Sequence, residues 1–164
     1  MKKKQFILLC FILFSLKLNA QYGAVAPNLT PTWEWGVDFN GNIISSLVHD
    51  NYIYTFGNYS DSSIHLGTFS LSNAGGTDSY IAKWDTLGNV IWAVSISDTS
   101  SQSAIRLHIN TNNELVAVGN NKSPSLMIGI DSVPSGISNG IYTTTIDLNG
   151  NILDAFSIPS TSDS

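Results

Sequence analysis

The side chains that could do chemistry are sparse in this chain and follow no recognised catalytic pattern. His49, His65 and His108 lack the His-x-x-x-His or His-Glu spacing that typically holds a transition metal. Glu34 and Glu114 are the only glutamates. A carboxylate pair for glycoside hydrolysis cannot be recognised from sequence spacing, because its two members come together only in the folded protein. No Gly-x-Ser-x-Gly motif and no phosphate-binding loop occurs. These features favour a protein without catalytic activity of its own.

The aspartates make calcium the one metal to be considered as a bound ion. Asp85 and Asp147 recur in predicted turns, and Asp61, Asp98 and Asp131 lie in polar stretches. Calcium binds through about six to eight clustered oxygen atoms, and the chain contains no D-x-[DN]-x-[DN]-G series. We therefore expect turn-capping aspartates and no cofactor, with calcium as the alternative.

The tryptophans provide the candidate ligand-stacking surface. Trp33 and Trp35 lie near the N-terminus, beside a strand with no evident partner, and are the candidates for stacking against a sugar. Trp84 and Trp92 fall on strand positions that are predicted to face inward, so we expect them to pack in the core.

The N-terminus has the features of an export signal. Three lysines precede an apolar run at residues 6–16, and Ala20 is a small residue at the expected cleavage position. The run is shorter than the roughly 20 residues that cross a bilayer. We expect cleavage after Ala20, a secreted or cell-surface protein, and no integral membrane span in the mature chain.

The composition of residues 21–164 excludes several kinds of partner. This part contains three basic and twelve acidic residues, a net charge of −9. Nucleic-acid binding needs a basic face, so it is not expected. The single cysteine, Cys10, lies in the export signal, so disulfides and thiol chemistry are not expected either.

An internal repeat organises the rest of the chain. Residues 57–96 align without a gap on residues 119–158, at an offset of 62. "DTLGNVIWAVSI" thus returns as "DLNGNILDAFSI". A duplication of this length indicates a repeat architecture.

Each copy has the pattern of β-strands. In "SYIAKWD" the residues alternate between two faces, and "NVIWAVSI" predicts that Val90, Trp92, Val94 and Ile96 share one face. An Asp-x-x-Gly-Asn sequence separates these strands, and it is typical of a hairpin turn. The predicted turn residues are Asp85, Gly88, Asn89, Asp147, Gly150 and Asn151.

These features predict an all-β chain of tandem four-stranded antiparallel units. We divide it into a signal peptide at 1–20, an N-terminal strand and linker at 21–41, and repeats at 42–103 and 104–164, with a third copy expected to follow. Long connections of variable sequence are expected at 60–77 and 122–139. Such units must stack to bury their faces, and β-propellers stack them radially as blades.

The first copy resembles the bacterial β-propeller repeats known as SBBP. The matching positions are Gly76, Asp78, Tyr80, Lys83, Asp85, Gly88, Asn89 and Trp92. The second copy departs from the pattern, with Gly140, Thr145 and Asp154 in place of Asp78, Lys83 and Trp92. The resemblance implies an incomplete propeller within an exported bacterial protein, and a binding or scaffold surface.

The sequence leaves the choice of function between two classes. The first is a non-enzymatic extracellular or cell-surface module that binds a protein or a glycan, with further blades in a longer parent chain. The alternative is a piece of a secreted enzyme, either a quinoprotein-like propeller or a carbohydrate-active protein. Asp85, Gly88 and Trp92 also fit the Asp-x-x-Gly-x-x-x-Trp pattern of the quinoprotein-like blades.

Overall fold

The computed structural model describes residues 36, 38–123, 125–134 and 139–159. These residues form twelve strands and no helix, so the prediction of an all-β chain is confirmed. Within these ranges there is accordingly no helix that could cross a membrane. The strands are β1 (Asn42–His49), β2 (Tyr52–Tyr59), β3 (Ser63–Leu66), β4 (Phe69–Ser72), β5 (Asp78–Trp84), β6 (Val90–Ser97), β7 (Gln102–Ile109), β8 (Leu115–Asn121), β9 (Ser125–Ile128), β10 (Asp131–Pro134), β11 (Gly140–Ile146) and β12 (Ile152–Pro159).

The strands form three antiparallel sheets. The first sheet has six strands in the order β1-β2-β5-β6-β9-β10, and the second has four in the order β12-β11-β8-β7. Strands β3 and β4 form a separate hairpin. Each copy of the repeat therefore contributes a four-stranded antiparallel sheet, β1-β2-β5-β6 from the first and β7-β8-β11-β12 from the second.

The two copies also share a hairpin that the sequence pattern did not predict. Strands β3 and β4, and their counterparts β9 and β10, occupy the segments that were expected to be long connections of variable sequence. Both hairpins turn at a glycine with positive φ, Gly67 at 58° and Gly129 at 62°. Four-residue strands carry too short an alternation to stand out from a polar loop.

A β-bulge corrects the predicted face of Val90. Opposite β5, Lys83 pairs with Trp92 and Trp84 pairs with Val90, so that Ile91 is the extra residue. Val90 therefore packs on the same face as Trp84, while Trp92 lies on the opposite face. The expected period of two fails at this position because a bulge inserts one residue and shifts the alternation.

The buried side chains form two cores on opposite faces of the six-stranded sheet. The end core joins this sheet to the β3–β4 hairpin and consists of Ile53, Tyr59, Ile64, Leu66, Tyr80, Ala82 and Trp84. The junction core lies between the two repeats and consists of Tyr54, Phe56, Ile81, Ile96, Ala104, Leu107, Leu115, Ala117, Leu126, Ile128, Tyr142 and Ile146. Each repeat thus buries an apolar face against its neighbour or its hairpin, as stacked repeats require.

A glycine and a tyrosine face each other at equivalent places in the two copies. Gly57 pairs with Tyr80, and Gly119 pairs with Tyr142. A Cβ atom on Gly119 would lie 2.4 Å from the Tyr142 ring, and one on Gly57 would lie 1.8 Å from the carbonyl oxygen of Asn42. Glycine is required because any larger residue would occupy the space of the tyrosine and the adjacent strand.

The first strands of the two repeats lie side by side. The Leu107 N–H donates to Ser45 Oγ at 3.1 Å, and these positions are 62 residues apart, the offset of the repeat. The Ala104 N–H likewise donates to Asn58 Oδ1 at 2.7 Å. At the opposite edge, β9 pairs with β6, and β10 contacts β12, so the second hairpin lies between the two outer strands.

Candidate functional site

Each predicted Asp-x-x-Gly-Asn segment forms a compact hydrogen-bonded turn. Asp85 Oδ1 accepts from the main-chain N–H groups of Leu87 and Asn89 at 2.9 and 2.8 Å, and Asp85 Oδ2 accepts from Asn89 Nδ2 at 2.8 Å. Gly88 has a φ of 85°, which favours glycine. One side chain thus satisfies three donors within five residues.

The turn at Asp147 repeats this geometry. Asp147 Oδ1 accepts from Asn149 and Asn151 N–H groups at 2.8 and 2.9 Å, and Asp147 Oδ2 accepts from Asn151 Nδ2 at 2.7 Å. Burial opposes ionisation of Asp147, but the hydrogen bonds from Asn151, Asn149 and Gly150 outweigh it and lower its pKa. The hydrogen bonds that this carboxylate accepts therefore come from residues of its own turn.

A third turn, at residues 110–114, reaches the same shape with different side chains, and Glu114 lies in a tight turn as the sequence predicted. Asn110 Oδ1 accepts from the N–H groups of Asn112 and Glu114, at 2.9 and 3.0 Å. Asn110 Nδ2 donates to Glu114 Oε2 at 2.8 Å, which reverses the direction of the side-chain bond. Asn113 takes the glycine position with a φ of 61°. Glu114 is therefore part of a turn.

The Asp147 turn is also one of the places where the second repeat contacts the first. We call residues 147–151 the junction turn. The Leu148 carbonyl oxygen accepts from Lys83 Nζ at 2.9 Å and from Trp92 Nε1 at 3.1 Å. Lys83 and Trp92 are paired neighbours on β5 and β6, and Gly150 lies close beneath the Trp92 ring.

Lys83 is held in an unusual environment for a lysine. Its side chain is only 9% exposed, and its Nζ lies 3.9 Å from the centre of the Tyr52 ring and 5.5 Å from that of Tyr54. Burial lowers the pKa of Lys83, while the charges of Asp147 and Asp50 oppose that change. The two aromatic rings and the carbonyl oxygen stabilise the ammonium group.

A second polar cluster lies at the other end of the junction, and sequence reasoning missed it. Asp78 is fully buried at the start of β5, and its Oδ2 accepts from the Ala74 N–H at 2.7 Å. Its Oδ1 is buried and makes no hydrogen bond to a described residue. Asp98, which is 8% exposed, accepts from the Ser125 hydroxyl.

The two carboxylates of this cluster have opposite pKa shifts. Burial raises the pKa of Asp78 to about 6; N–H groups of Ala74 and Asp98 act against this rise, and the charge of Asp98 adds to it. Burial also acts to raise the pKa of Asp98, but hydrogen bonds from Ser125, Thr99 and Ser123 outweigh it and lower the pKa. The Asp98 carboxylate is thus stabilised as an anion, whereas that of Asp78 is not.

The structure does not gather the other candidate residues into a site. Across the described ranges, no three His, Cys, Asp or Glu side chains come close enough together to hold a metal ion. Trp33 and Trp35 lie outside the described residues, as does the predicted signal peptide. Trp84 is buried with its Nε1 donating to Thr55, whereas Trp92 is only partly buried and lies on the opposite face.

Comparisons with known proteins do not assign this arrangement. No protein-family model matches the chain, and no curated protein matches it. The described site is therefore interpreted from its own geometry. Its polar groups join the two repeats to each other, and its carboxylates accept hydrogen bonds from the protein's own backbone and side chains.

One face of the second repeat's sheet is covered by no described residue, and the sequence pattern did not predict this. We call this face of the four-stranded sheet, opposite the junction core, the outer face. Three of its large apolar side chains are about half exposed: Ile141 at 44%, Phe156 at 49% and Ile158 at 53%. Its other described side chains include Arg106, His108, Val116, Val118, Thr143, Thr145 and Asp154.

Proposed function

We propose that this chain is an exported β-propeller-repeat protein that acts as an extracellular or cell-surface binding or scaffold module and has no catalytic activity of its own. Its two repeats are two successive blades, and the parent ring would hold further blades. The ligand would be a protein or a glycan.

The main support is the way in which the two repeats lie against each other. Their first strands, β1 and β7, are directly joined through Ser45 and Leu107. Their last strands, β6 and β12, have the β9–β10 hairpin between them. Sheets that touch at one edge and are separated at the other are inclined to each other, as the blades of a propeller are.

A second support is the structural use of the SBBP-like residues in the first repeat. Asp85 and Asn89 form the turn, and Lys83 and Trp92 bind the next repeat. Asp78 ties the start of β5 to the preceding loop. Residues that fold and join repeats are expected in a scaffold.

Export is tested by locating the protein and its N-terminus. The chain is expressed in a Gram-negative host, and the N-terminus is sequenced from the extracytoplasmic fraction. We expect it to begin at Gln21. A matched variant, Leu9→Arg, interrupts the apolar run and should keep the protein inside the cell. A wild-type chain that stays cytoplasmic with Met1 in place would overturn the export proposal.

Binding is tested on a glycan array and a panel of surface proteins with the purified protein. We expect one class of ligand to be retained, and Trp33→Ala with Trp35→Ala to abolish retention if that ligand is a sugar. Leu87→Ala, at an exposed turn position, is the control. Release of a chemically altered ligand would support the enzyme alternative instead, and absence of any retained ligand would contradict a binding role.

A further inference from the structure

We propose that the side chain of Trp35 binds the turn at residues 85–89, as Trp92 binds the junction turn, so that residues 35–39 cover the end core. We call residues 85–89 the Asp85 turn. Trp35 precedes the described residues, and Phe39 lies within them. The proposal rests on the equivalence of the two repeats and not on the proposed function.

The end core is the counterpart, in the first repeat, of the side of the junction core that the second repeat supplies. Five of its residues correspond, at the 62-residue offset, to residues of the junction core. These pairs are Ile53 with Leu115, Ile64 with Leu126, Leu66 with Ile128, Tyr80 with Tyr142, and Trp84 with Ile146. In the junction core, the last strand of the preceding repeat contributes Ile96 to this side. No repeat precedes the first one among the described residues, so the counterpart of Ile96 has to come from another segment.

Phe39 takes the place that corresponds to Ile96. The centre of its ring lies 6.0 Å from that of Tyr80 and 6.2 Å from that of Trp84. The counterparts of these two residues in the second repeat lie with Ile96 in the junction core. The segment that ends at Phe39 therefore packs on the first repeat where β6 packs on the second.

This segment runs in the same direction as β6. One residue after Phe39, Asn40 donates through Nδ2 to the Ser63 carbonyl oxygen at 3.0 Å, at the start of β3. Two residues after Ile96, Asp98 accepts from the hydroxyl of the residue that corresponds to Ser63, at the start of β9. Both segments thus leave their core at the same end. The residues before Phe39 accordingly extend towards the opposite end, which holds the Asp85 turn.

The sequence of the segment matches that of β6. The run "WGVDF" at residues 35–39 aligns with "WAVSI" at residues 92–96, with tryptophan and valine identical and a large apolar residue at the last position. The offset is 57 in place of 62, because the connection to β1 is shorter than the one from β6 to β7. The tryptophan thus stands at the same distance along the chain from the core residue in both segments.

The Asp85 turn has the features with which the junction turn binds Trp92. The Leu148 carbonyl oxygen accepts from Trp92 Nε1 at 3.1 Å, and a Cβ atom on Gly150 would lie 3.0 Å from the ring. The corresponding residues of the Asp85 turn are Thr86 and Gly88. Gly88 has a φ of 85° where Gly150 has 93°, so the two turns present the same backbone shape to an indole.

In the proposed arrangement, Trp35 Nε1 donates to the Thr86 carbonyl oxygen, and the ring of Trp35 covers Gly88. An indole N–H usually finds such a partner when its ring is buried. A sugar could then not stack on Trp35, so the stacking role would belong to Trp33 alone.

Nuclear magnetic resonance of the purified protein tests the contact directly. We expect nuclear Overhauser effects between the indole protons of Trp35 and the α-protons of Gly88, and slow hydrogen exchange at Trp35 Nε1. The contact between Trp92 and Gly150 is the positive control. A spectrum that shows the effects of Trp92 and lacks those of Trp35 would overturn the proposal.

Thermal unfolding tests whether the contact stabilises the fold. Trp35→Ala should lower the Tm by at least about 5 °C, because a large buried side chain is lost. Trp35→Phe keeps an aromatic ring and removes the donor, so the Tm should fall by less. The control Ile130→Ala changes a residue that is 93% exposed, and should shift the Tm by less than about 1 °C.

An unchanged Tm in Trp35→Ala would also overturn the proposal. Neither measurement involves a ligand, so a failure of the proposed binding function leaves both expected results as they are.

Discussion

Asp78 illustrates, at the scale of a single residue, the cost of placing a carboxylate in the interior. Burial raises its pKa to about 6, although its ordinary value is near 3.8. Between these two values the folded protein binds more protons than the unfolded chain does. The stability contributed at this residue is therefore highest below about pH 4 and falls as the pH rises through about 6.

Asp78→Asn should remove this pH dependence. The amide keeps the shape of the side chain and carries no charge, so the variant should match the wild type near pH 4. By pH 7 it should be more stable by up to about 3 kcal/mol, the equivalent of a shift of about two pKa units. Urea unfolding at a series of pH values measures the difference. Asp131→Asn, which makes the same change at an exposed position, serves as the control.

At the scale of the element, the five-residue turn is formed by two different patterns of hydrogen bonds in this chain. In the junction turn the first residue accepts every side-chain bond, through Asp147. In the turn at residues 110–114, Asn110 accepts two main-chain bonds and donates to Glu114. The shape of the turn is therefore determined by hydrogen-bond complementarity, and one particular residue pair is not required.

This equivalence can be tested by exchange. Asp147→Ala should lower the free energy of unfolding by about 2 kcal/mol, because three donors lose their acceptor. Asp147→Asn combined with Asn151→Glu copies the turn at residues 110–114 and should recover all but about 0.5 kcal/mol of that loss. Denaturant unfolding compares the two variants directly. If the exchange were as unstable as the alanine variant, the turns would not be interchangeable.

At the scale of the whole molecule, two repeats are held together by a small number of long-range polar contacts around an apolar junction. Lys83 and Trp92 reach the same carbonyl oxygen, that of Leu148, across more than 50 residues of sequence. Their counterparts in the second repeat, Thr145 and Asp154, face outward on the outer face and bind no turn of a following repeat among the described residues.

Because Lys83 and Trp92 donate to the same oxygen, we expect that the free-energy costs of removing the two hydrogen bonds are not additive. Lys83→Met or Trp92→Phe alone should cost about 1–2 kcal/mol, since the other donor still satisfies the oxygen. The double variant leaves that oxygen without either donor, and should cost about 1 kcal/mol more than the sum of the two. Urea unfolding of the four proteins completes the cycle. Asp154→Asn, at the equivalent outward position, should change stability by less than about 0.5 kcal/mol.

Much of the fold could be predicted from local sequence. The alternation in β5 and the Asp-x-x-Gly-Asn turns depend on residues within a few positions of each other, so their pattern is visible in the chain. The position of Val90 could not be predicted, because the bulge beside it depends on how β6 pairs with β5. The two short hairpins were missed because four-residue strands gain their stability from packing of residues such as Ile64 and Leu126 in the cores.

The sequence by itself determined the duplication, the all-β character and the turn residues, since each rests on periodicity or on hydrogen bonds that close within five residues. Only the tertiary structure decided which faces are covered. It brought Lys83 and Trp92 to Leu148, set Asp78 beside Asp98, and left Phe156 half exposed. These contacts join residues that are distant in sequence, and their existence depends on how the sheets pack.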